Sequence, residues 1–315
     1  MKRIISLISA AAVCCLCSCS SEEHTNTDSA APSDKLKIVT TIFPEYDWVN
    51  EIAGDTGADI TLMLDNGVDL HSYQPTVDDI LEISECDMFI YVGGESDEWI
   101  EGALSEATNK DMVVLNLLEI LGESAKEEEI VEGMQGSIEE AEYDEHIWLS
   151  LKNAKVLCRA IADSLSVLDP KNASSYESNA NAYIEKLSSL DDEYTSAIDA
   201  APKKTLLFGG RFPFRYLTDD YGLQYYAAFA GCSAETEASF ETILFLSQKA
   251  DELGLNSIIQ IDGSDEKMAR TIKESSDVQN ILTLDSMQSV TAEDSGVTYL
   301  SIMEKNLEVL KEALN

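Results

Sequence analysis

From residue 36 onward, short apolar runs rich in Ile and Val alternate with helix-compatible stretches. The runs at 36–43, 59–64, 88–92 and 112–117 have the length of strands, and 46–53, 77–84 and 99–107 read as helices beside them. Strands alternating with helices of about ten residues specify a parallel sheet covered on both faces, because each crossover helix has to lie over the sheet. After a gap the pattern returns, with strands at 205–208, 223–229, 257–261 and 281–284 and helices at 240–253, 266–274 and 299–314. No short-period repeat relates the two halves. The economical architecture is α/β, with two doubly wound lobes, each built on a parallel-rich four-stranded sheet.

The gap between the halves holds one long helix. Ser174-x-x-Glu177, just after Pro170, has the form of a capping box. Tyr176, Ala180, Tyr183, Leu187, Leu190, Tyr194 and Ala197 then recur at spacings of four and three, which aligns them on one stripe. Pro202 sets the latest end. About 25 residues at 1.5 Å each make a rigid rod of about 37 Å, too long for one small lobe to cover. The expected organisation is a signal segment at 1–18, a tether at 19–35, a first lobe at 36–168, the linking helix at 169–201 and a second lobe at 202–315. Open parallel sheets bind ligands beyond the carboxyl ends of their strands. Two sheets joined by a rod would therefore share a ligand cleft, and the loops after the strands are where binding residues belong.

Lys2 and Arg3 precede an apolar run at 4–16, shorter than the roughly 20 residues a membrane-spanning helix requires. Leu16-Cys17-Ser18-Cys19 resembles the lipobox of bacterial lipoproteins. That resemblance implies cleavage before Cys19, acylation of its thiol, and an extracytoplasmic chain lipid-anchored to the cell membrane. The alternative is a plain secretory signal with incidental cysteines. Residues 20–34 have almost nothing to bury, so they cannot offset their ordering entropy and are expected to be a flexible tether. Of seven cysteines, Cys19, Cys86, Cys158 and Cys232 lie beyond the signal, without the spacing of a disulfide framework or a zinc knot. Charge narrows the partners further. With 59 acidic and 21 basic residues the chain carries −38, and removing Lys2 and Arg3 takes it to −40. Such a field repels nucleic acid and favours cations.

Only three histidines occur. His24 lies in the tether. His71 lies in Gly67-Val-Asp-Leu-His-Ser-Tyr-Gln-Pro-Thr76, leaving the second strand, and His146 lies in Asp144-Glu-His-Ile-Trp-Leu-Ser150, at the start of a helix. Both sit where the cleft is expected, and neutral imidazole is a common ligand of divalent transition metals.

The wider pattern is more specific. Lys37-Ile-Val-Thr-Thr-Ile-Phe-Pro44, Glu51-Ile-Ala-Gly-Asp55, the His71 loop, Tyr91-Val-Gly-Gly94 with Trp99, and His146-Ile-Trp-Leu-Ser150 with Lys152-Asn-Ala154 follow in order. Tyr216-Leu217 and Tyr221-Gly222-Leu223 continue the series. Together they resemble the metal-binding proteins of bacterial zinc and manganese ABC importers over nearly all of the chain from Leu36. The resemblance implies a carrier, expected as a monomer, that captures a divalent metal ion in the cleft and delivers it to an ABC permease with its ATPase subunit. It also implies two histidines from the first lobe, matched by His71 and His146, and two ligands from the second. Asp285, directly after the last strand, matches the acidic one. The remaining position falls on Arg211, which stays protonated and has no lone pair to donate. The shell could then be completed by water, or by Glu235 or Cys232 in Gly231-Cys-Ser-Ala-Glu-Thr-Glu237. Arg211 could pair with Asp285 in the empty site, or signal a ligand other than a bare cation.

Residues 123–145 carry ten acidic residues and one Lys, either a cation-collecting loop or a solvated one. Zinc carriers of the family often have a His-rich or acidic loop here, which favours zinc over manganese. HExxH, GxSxG and a P-loop are all missing, so no enzyme is expected and a metallohydrolase is the weakest reading. A surface adhesin without transported cargo is the other alternative.

Overall fold

The computed structural model describes residues 35–65, 67–136, 142–233, 237–288, 290 and 296–315. Cys19, expected to be acylated, His24 and the rest of residues 1–34, and Glu235 lie outside the described residues. The first lobe contains β1 (Lys37–Thr40), α1 (Phe43–Ala53), β2 (Asp59–Leu62), α2 (Val77–Glu85), β3 (Met88–Tyr91), α3 (Trp99–Ser105), β4 (Val113–Asn116) and α4 (Leu117–Leu121). Two long helices follow, α5 (Leu151–Leu168) and α6 (Ala173–Ala200). The second lobe contains β5 (Thr205–Phe212), α7 (Arg215–Asp220), β6 (Gln224–Ala230), α8 (Phe240–Glu252), β7 (Ser257–Ile261), α9 (Lys267–Glu274), β8 (Asn280–Leu284) and α10 (Tyr299–Ala313).

The expected fold is present. Each lobe has a four-stranded sheet, ordered β2-β1-β3-β4 and β6-β5-β7-β8, and every strand pair is parallel. Both orders reverse direction beside the lobe's first strand, the switch point at which such sheets open a crevice. The first strand is shorter than its apolar run suggests. It stops at Thr40 because Glu45 Oε2 accepts the Thr41 and Ile42 N–H groups at 2.8 and 3.3 Å, and α1 then starts with Pro44 in its first turn. In the other direction, β5 runs four residues past the expected end at Phe208 through a register irregularity against β6.

The long helix α6 has 28 residues, about 42 Å at 1.5 Å per residue. Its buried stripe is Tyr176, Ala180, Tyr183, Leu187, Leu190, Tyr194 and Ile198, so the periodicity read from sequence is correct up to its last position. The expected capping box is not formed. A one-turn 3-10 helix, Pro170–Asn172, leads straight into α6, whose N-cap Asn172 donates back to Asp169 and does not cap the helix with its side chain, so Ser174 falls inside the first turn. Along the rod the partners change lobes. Asn179 Nδ2 donates to Ile52 O at 3.0 Å and Tyr183 OH to Asp47 Oδ2 at 3.3 Å in α1. Further on, Tyr194 OH donates to Met303 O in α10 at 2.6 Å, and Asp191 accepts Tyr221 OH at 2.8 Å. One rod thus bolts both lobes.

A single apolar core runs from the first sheet through α5 and α6 to the inner face of the second lobe, including Trp48, Trp148, Tyr183, Phe208 and Tyr299. A smaller cluster around Phe229, Leu246, Ile258 and Ile272 fills the outer face of the second lobe. At about 1.5–3 kcal/mol for each fully buried large side chain, separating the lobes along this core would be costly.

Asp47 sits at the junction of α1, α6 and α10, accepting Tyr183 OH and the Tyr299 N–H at 3.1 Å. Burial pushes its carboxyl up to about 6 despite both donors. A carboxyl with a raised folded pKa binds its proton preferentially in the native state, so its contribution to stability falls as pH rises from about 4 to about 6. Asp47→Asn removes that dependence. Urea unfolding of both chains should show the variant gaining about 2–3 kcal/mol relative to wild type between pH 4 and pH 7.5. A constant difference across that range would contradict the assignment.

Candidate metal centre

His71 belongs to a one-turn 3-10 helix, Leu70–Ser72, placed just beyond β2. Asp69 caps that turn by accepting the His71 N–H at Oδ1, 3.0 Å away. His146 precedes another single turn, Ile147–Leu149, whose exit into α5 is capped by Ser150 Oγ accepting the Asn153 N–H at 3.0 Å. Both turns lie at carboxyl ends of the first sheet, and they bring the two rings together. His71 Nε2 is 3.2 Å from His146 Nε2.

The outer ring nitrogens are tied back. His146 Nδ1 is 2.8 Å from Asp144 Oδ1, an oxygen that also accepts the His146 N–H at 2.9 Å. His71 Nδ1 is 2.8 Å from Ser96 Oγ and 3.4 Å from Glu145 Oε2, while Glu145 Oε1 accepts the Ser96 N–H at 2.8 Å. Asp144 takes the His146 Nδ1 proton, so His146 Nε2 is an acceptor that shares a proton with His71 Nε2; a metal replacing that proton would draw on both Nε2 lone pairs, as in carboxylate–histidine–metal arrangements. Burial, then the neighbouring His146, push His71 down to about 3, with Arg211 adding to the effect and Asp69 opposing it. The ring is therefore neutral near pH 7 and able to donate.

The second lobe closes the site with Cys232, just after β6. His71, His146 and Cys232 each offer one ligand atom, and these atoms lie within 4.8 Å of one another. Burial, then the Asp144, Glu128 and Glu145 carboxylates, push the Cys232 thiol well up, so a metal would have to displace its proton. Zn–N bonds of about 2.0–2.1 Å at a tetrahedral angle put two nitrogens about 3.3 Å apart. The observed 3.2 Å fits that demand without rearrangement.

One close approach holds the lobes in register, Gly231 against His146, and a second, Gly94 against Glu145, packs the first lobe behind the His71 ring. A Cβ on Gly231 would fall 2.9 Å from both His146 Cε1 and Phe212 O, and one on Gly94 would fall 2.4 Å from Glu145 Oε1. Tyr216 OH donates to Asp144 O and accepts the Lys126 N–H, both at 2.9 Å. Trp148 Nε1 donates to Ser286 O at 2.9 Å, and Tyr299 OH to Trp148 O at 2.7 Å.

Asp285 does not belong to the group formed by the two rings and the thiol. Its Oδ1 accepts the Met287 N–H at 2.8 Å, stabilising a turn in which Met287 has a φ of 63°. The turn sends Gln288 into the cleft instead, with Nε2 3.4 Å from His146 Nε2. Arg211 forms an ion pair with Asp69, which sequence reasoning had not singled out. Its only signal was position, two residues before His71. The acidic segment crosses to the second lobe. Glu128 Oε1 accepts the Cys232 N–H at 2.8 Å, Gln135 N donates to Ala228 O at 2.9 Å, and Glu129 pairs with Arg215.

Two parallel α/β lobes on a common rod, with an imidazole pair and a thiol converging between them, define a two-lobed metal-binding protein. The chain belongs to the ZnuA family, described as zinc-uptake complex component A, periplasmic, which matches residues 38–313. It is 31% identical over 318 residues to the zinc-binding lipoprotein AdcA of Streptococcus pneumoniae, covering 99% of this chain but 61% of that protein. The chain thus spans about three fifths of the length of its first curated relatives. It is 30% identical to the high-affinity zinc uptake system protein ZnuA of Bacillus subtilis, covering 92% of both. The crystal structure of the Zn(II)-bound ZnuA-like domain of Streptococcus pneumoniae AdcA superposes with a TM-score of 0.71 at 31% identity, covering 89% of this chain and 99% of that one.

Gly231→Ala tests the lobe register. The added methyl has to displace His146 or the Phe212 carbonyl, so unfolding should show a loss of about 1–3 kcal/mol and the His146 ring resonances should shift. Unchanged stability and resonances would mean the lobes are looser than the contacts indicate.

Proposed function

We propose that this chain is the cargo-binding component of a zinc importer, capturing one zinc ion in the interlobe cleft and presenting it to a membrane permease driven by a separate ATPase. The 3.2 Å approach of two Nε2 atoms, each backed by a carboxylate, carries the reading, because only a shared cation uses both lone pairs at once. His71, His146 and Cys232 are the proposed ligands. Asp285, released from the Met287 turn, completes the tetrahedron. An extracytoplasmic chain held by a lipid on Cys19 fits the lipoprotein name of its relative. Among the described residues, no helix is long and apolar enough to cross a membrane.

The donor set also favours one metal. Two imidazoles and a thiolate suit zinc, whereas manganese prefers carboxylate and water oxygens. With the thiolate and Asp285 each contributing one negative charge, a divalent cation leaves the shell neutral, which a buried site requires. Capture rather than turnover accords with the zinc-uptake description of the family.

Chelator-stripped protein should bind one zinc per chain and show a raised Tm. His71→Ala and His146→Ala should each weaken binding at least 100-fold, while His24→Ala leaves it unchanged. With cobalt(II) as the probe, thiolate-to-metal charge-transfer absorption should appear in wild type and vanish in Cys232→Ser. Asp285→Ala should weaken zinc binding but keep that band. Zinc held equally well after both histidine substitutions would sink the assignment.

A further inference from the structure

Arg211 stands at the mouth of the site yet contributes no ligand atom. The register irregularity in β5 ends at Arg211, which pairs with Phe229 of β6, and its guanidinium crosses the cleft to Asp69 in the first lobe. Asp69 is the cap of the His71 turn. One carboxylate oxygen takes the guanidinium, and the other accepts the His71 N–H at 3.0 Å. Gln288 Nε2, from the loop after β8, lies 3.4 Å from that second oxygen. Two elements of the second lobe therefore converge on the residue that fixes the backbone of a first-lobe histidine.

That backbone has little else to hold it. A three-residue 3-10 turn closes with poor hydrogen-bond geometry and no propagating ladder. Within it only Leu70 is buried. An exposed ion pair on such a turn would contribute almost nothing. This one is half-buried, with side-chain exposures of 23% and 25%, and it spans the lobes, so holding it also holds their separation at the metal centre.

We propose that Arg211 is a positioning residue for metal capture: acting through Asp69, the second lobe clamps the His71 turn from across the cleft and fixes His71 Nε2 opposite His146 before a cation arrives. The inference rests on the reading of His71 and His146 as ligands. In this chain the second lobe supplies a charge that organises a donor, at a place from which no lone pair is available. The site is pre-ordered, and binding does not have to pay the ordering cost of the turn.

The test has one readout without metal and one with it, both on the full chain. In zinc-free protein, hydrogen exchange at the Leu70–Ser72 amides should quicken at least tenfold in Arg211→Met, with the β7 amides unchanged as a control for global folding. Arg211→Lys, which keeps the charge, should retain most of the protection. In chelator competition, Arg211→Met and Asp69→Asn should each weaken zinc binding about 10–100-fold, the usual effect of losing an outer partner of a ligand. The double variant should be no weaker than Asp69→Asn alone, because both remove one device. Cobalt absorption should keep its thiolate band throughout. Unchanged exchange, additive losses, or tighter zinc binding in Arg211→Met would each overturn the proposal, the last by showing the guanidinium to be a competitor of the cation. A chain that binds no zinc yet shows the faster exchange would refute the zinc reading and leave the positioning role standing.

Discussion

Everything in the cleft depends on two imidazole nitrogens being kept 3.2 Å apart. Left free, two neutral rings have no reason to meet edge to edge, since one lone pair repels the other unless a proton or a cation lies between them. Each ring is therefore fixed from behind, His146 by Asp144 and His71 by Ser96 and Glu145. Those partners are fixed in turn. The Asp144 carbonyl accepts Tyr216 OH from the second lobe, and Glu145 fills the space that a side chain on Gly94 would occupy. The site is a product of packing between lobes, and no single loop could maintain it.

This explains how so acidic a chain can build its proposed cation site around two neutral imidazoles. The net charge of −38 raises the local concentration of cations around the whole surface, which affects arrival more than retention. Retention belongs to groups that are buried. The carboxylates nearest the centre, Asp144 and Glu145, are buried behind the imidazoles and orient them. Had they faced the metal as a carboxylate cage, the site would suit calcium or magnesium. The acidic segment belongs to the same scheme. Among its described residues, Glu128 and Gln135 bond to the end of β6, which fixes the Cys232 backbone.

The fold was legible because its signals are periodic. Strand-length Ile/Val runs and the four-and-three stripe on α6 depend only on which side of an element faces the core, and a core-facing pattern survives without knowledge of partners. His71 was legible for a related reason, since a residue just after a strand of a parallel sheet is delivered to the crevice by topology alone, whereas His146, at the entry to α5, was legible as one of only three histidines in the sequence. What failed to show was anything set by a turn. Asp285 sits after β8 as expected, yet a hydrogen bond to the Met287 amide turns its Oδ1 aside, and Gln288 enters instead. Ser174 and Glu177 matched a capping pattern that a preceding 3-10 turn makes redundant. Arg211 was noticed as a residue that cannot ligate, but its partner lies 142 positions away in the other lobe. No sequence period encodes such a pair.

For the proposed carrier, the rod and the shared core also limit the response to cargo. Carriers whose lobes are joined by flexible strands can swing about a hinge, whereas here α6 is bonded to α1 near one end and to α10 near the other. Trp148 and Tyr299 link the same two lobes at the floor of the cleft. A large rotation would have to expose this core and break those bonds together, at a cost well beyond what a shift in one ligand could supply. The segments with least to break are the His71 turn, the Arg211 end of β5 and the Asp285–Gln288 loop, each pinned to the core by one residue, Leu70, Phe212 and Met287 respectively, and otherwise at its edge. All three touch Asp69 or the metal centre, so a cation entering the site acts directly on the parts that can move. The difference between empty and loaded carrier should therefore be local, written at the rim of the cleft, which is the surface a permease would meet.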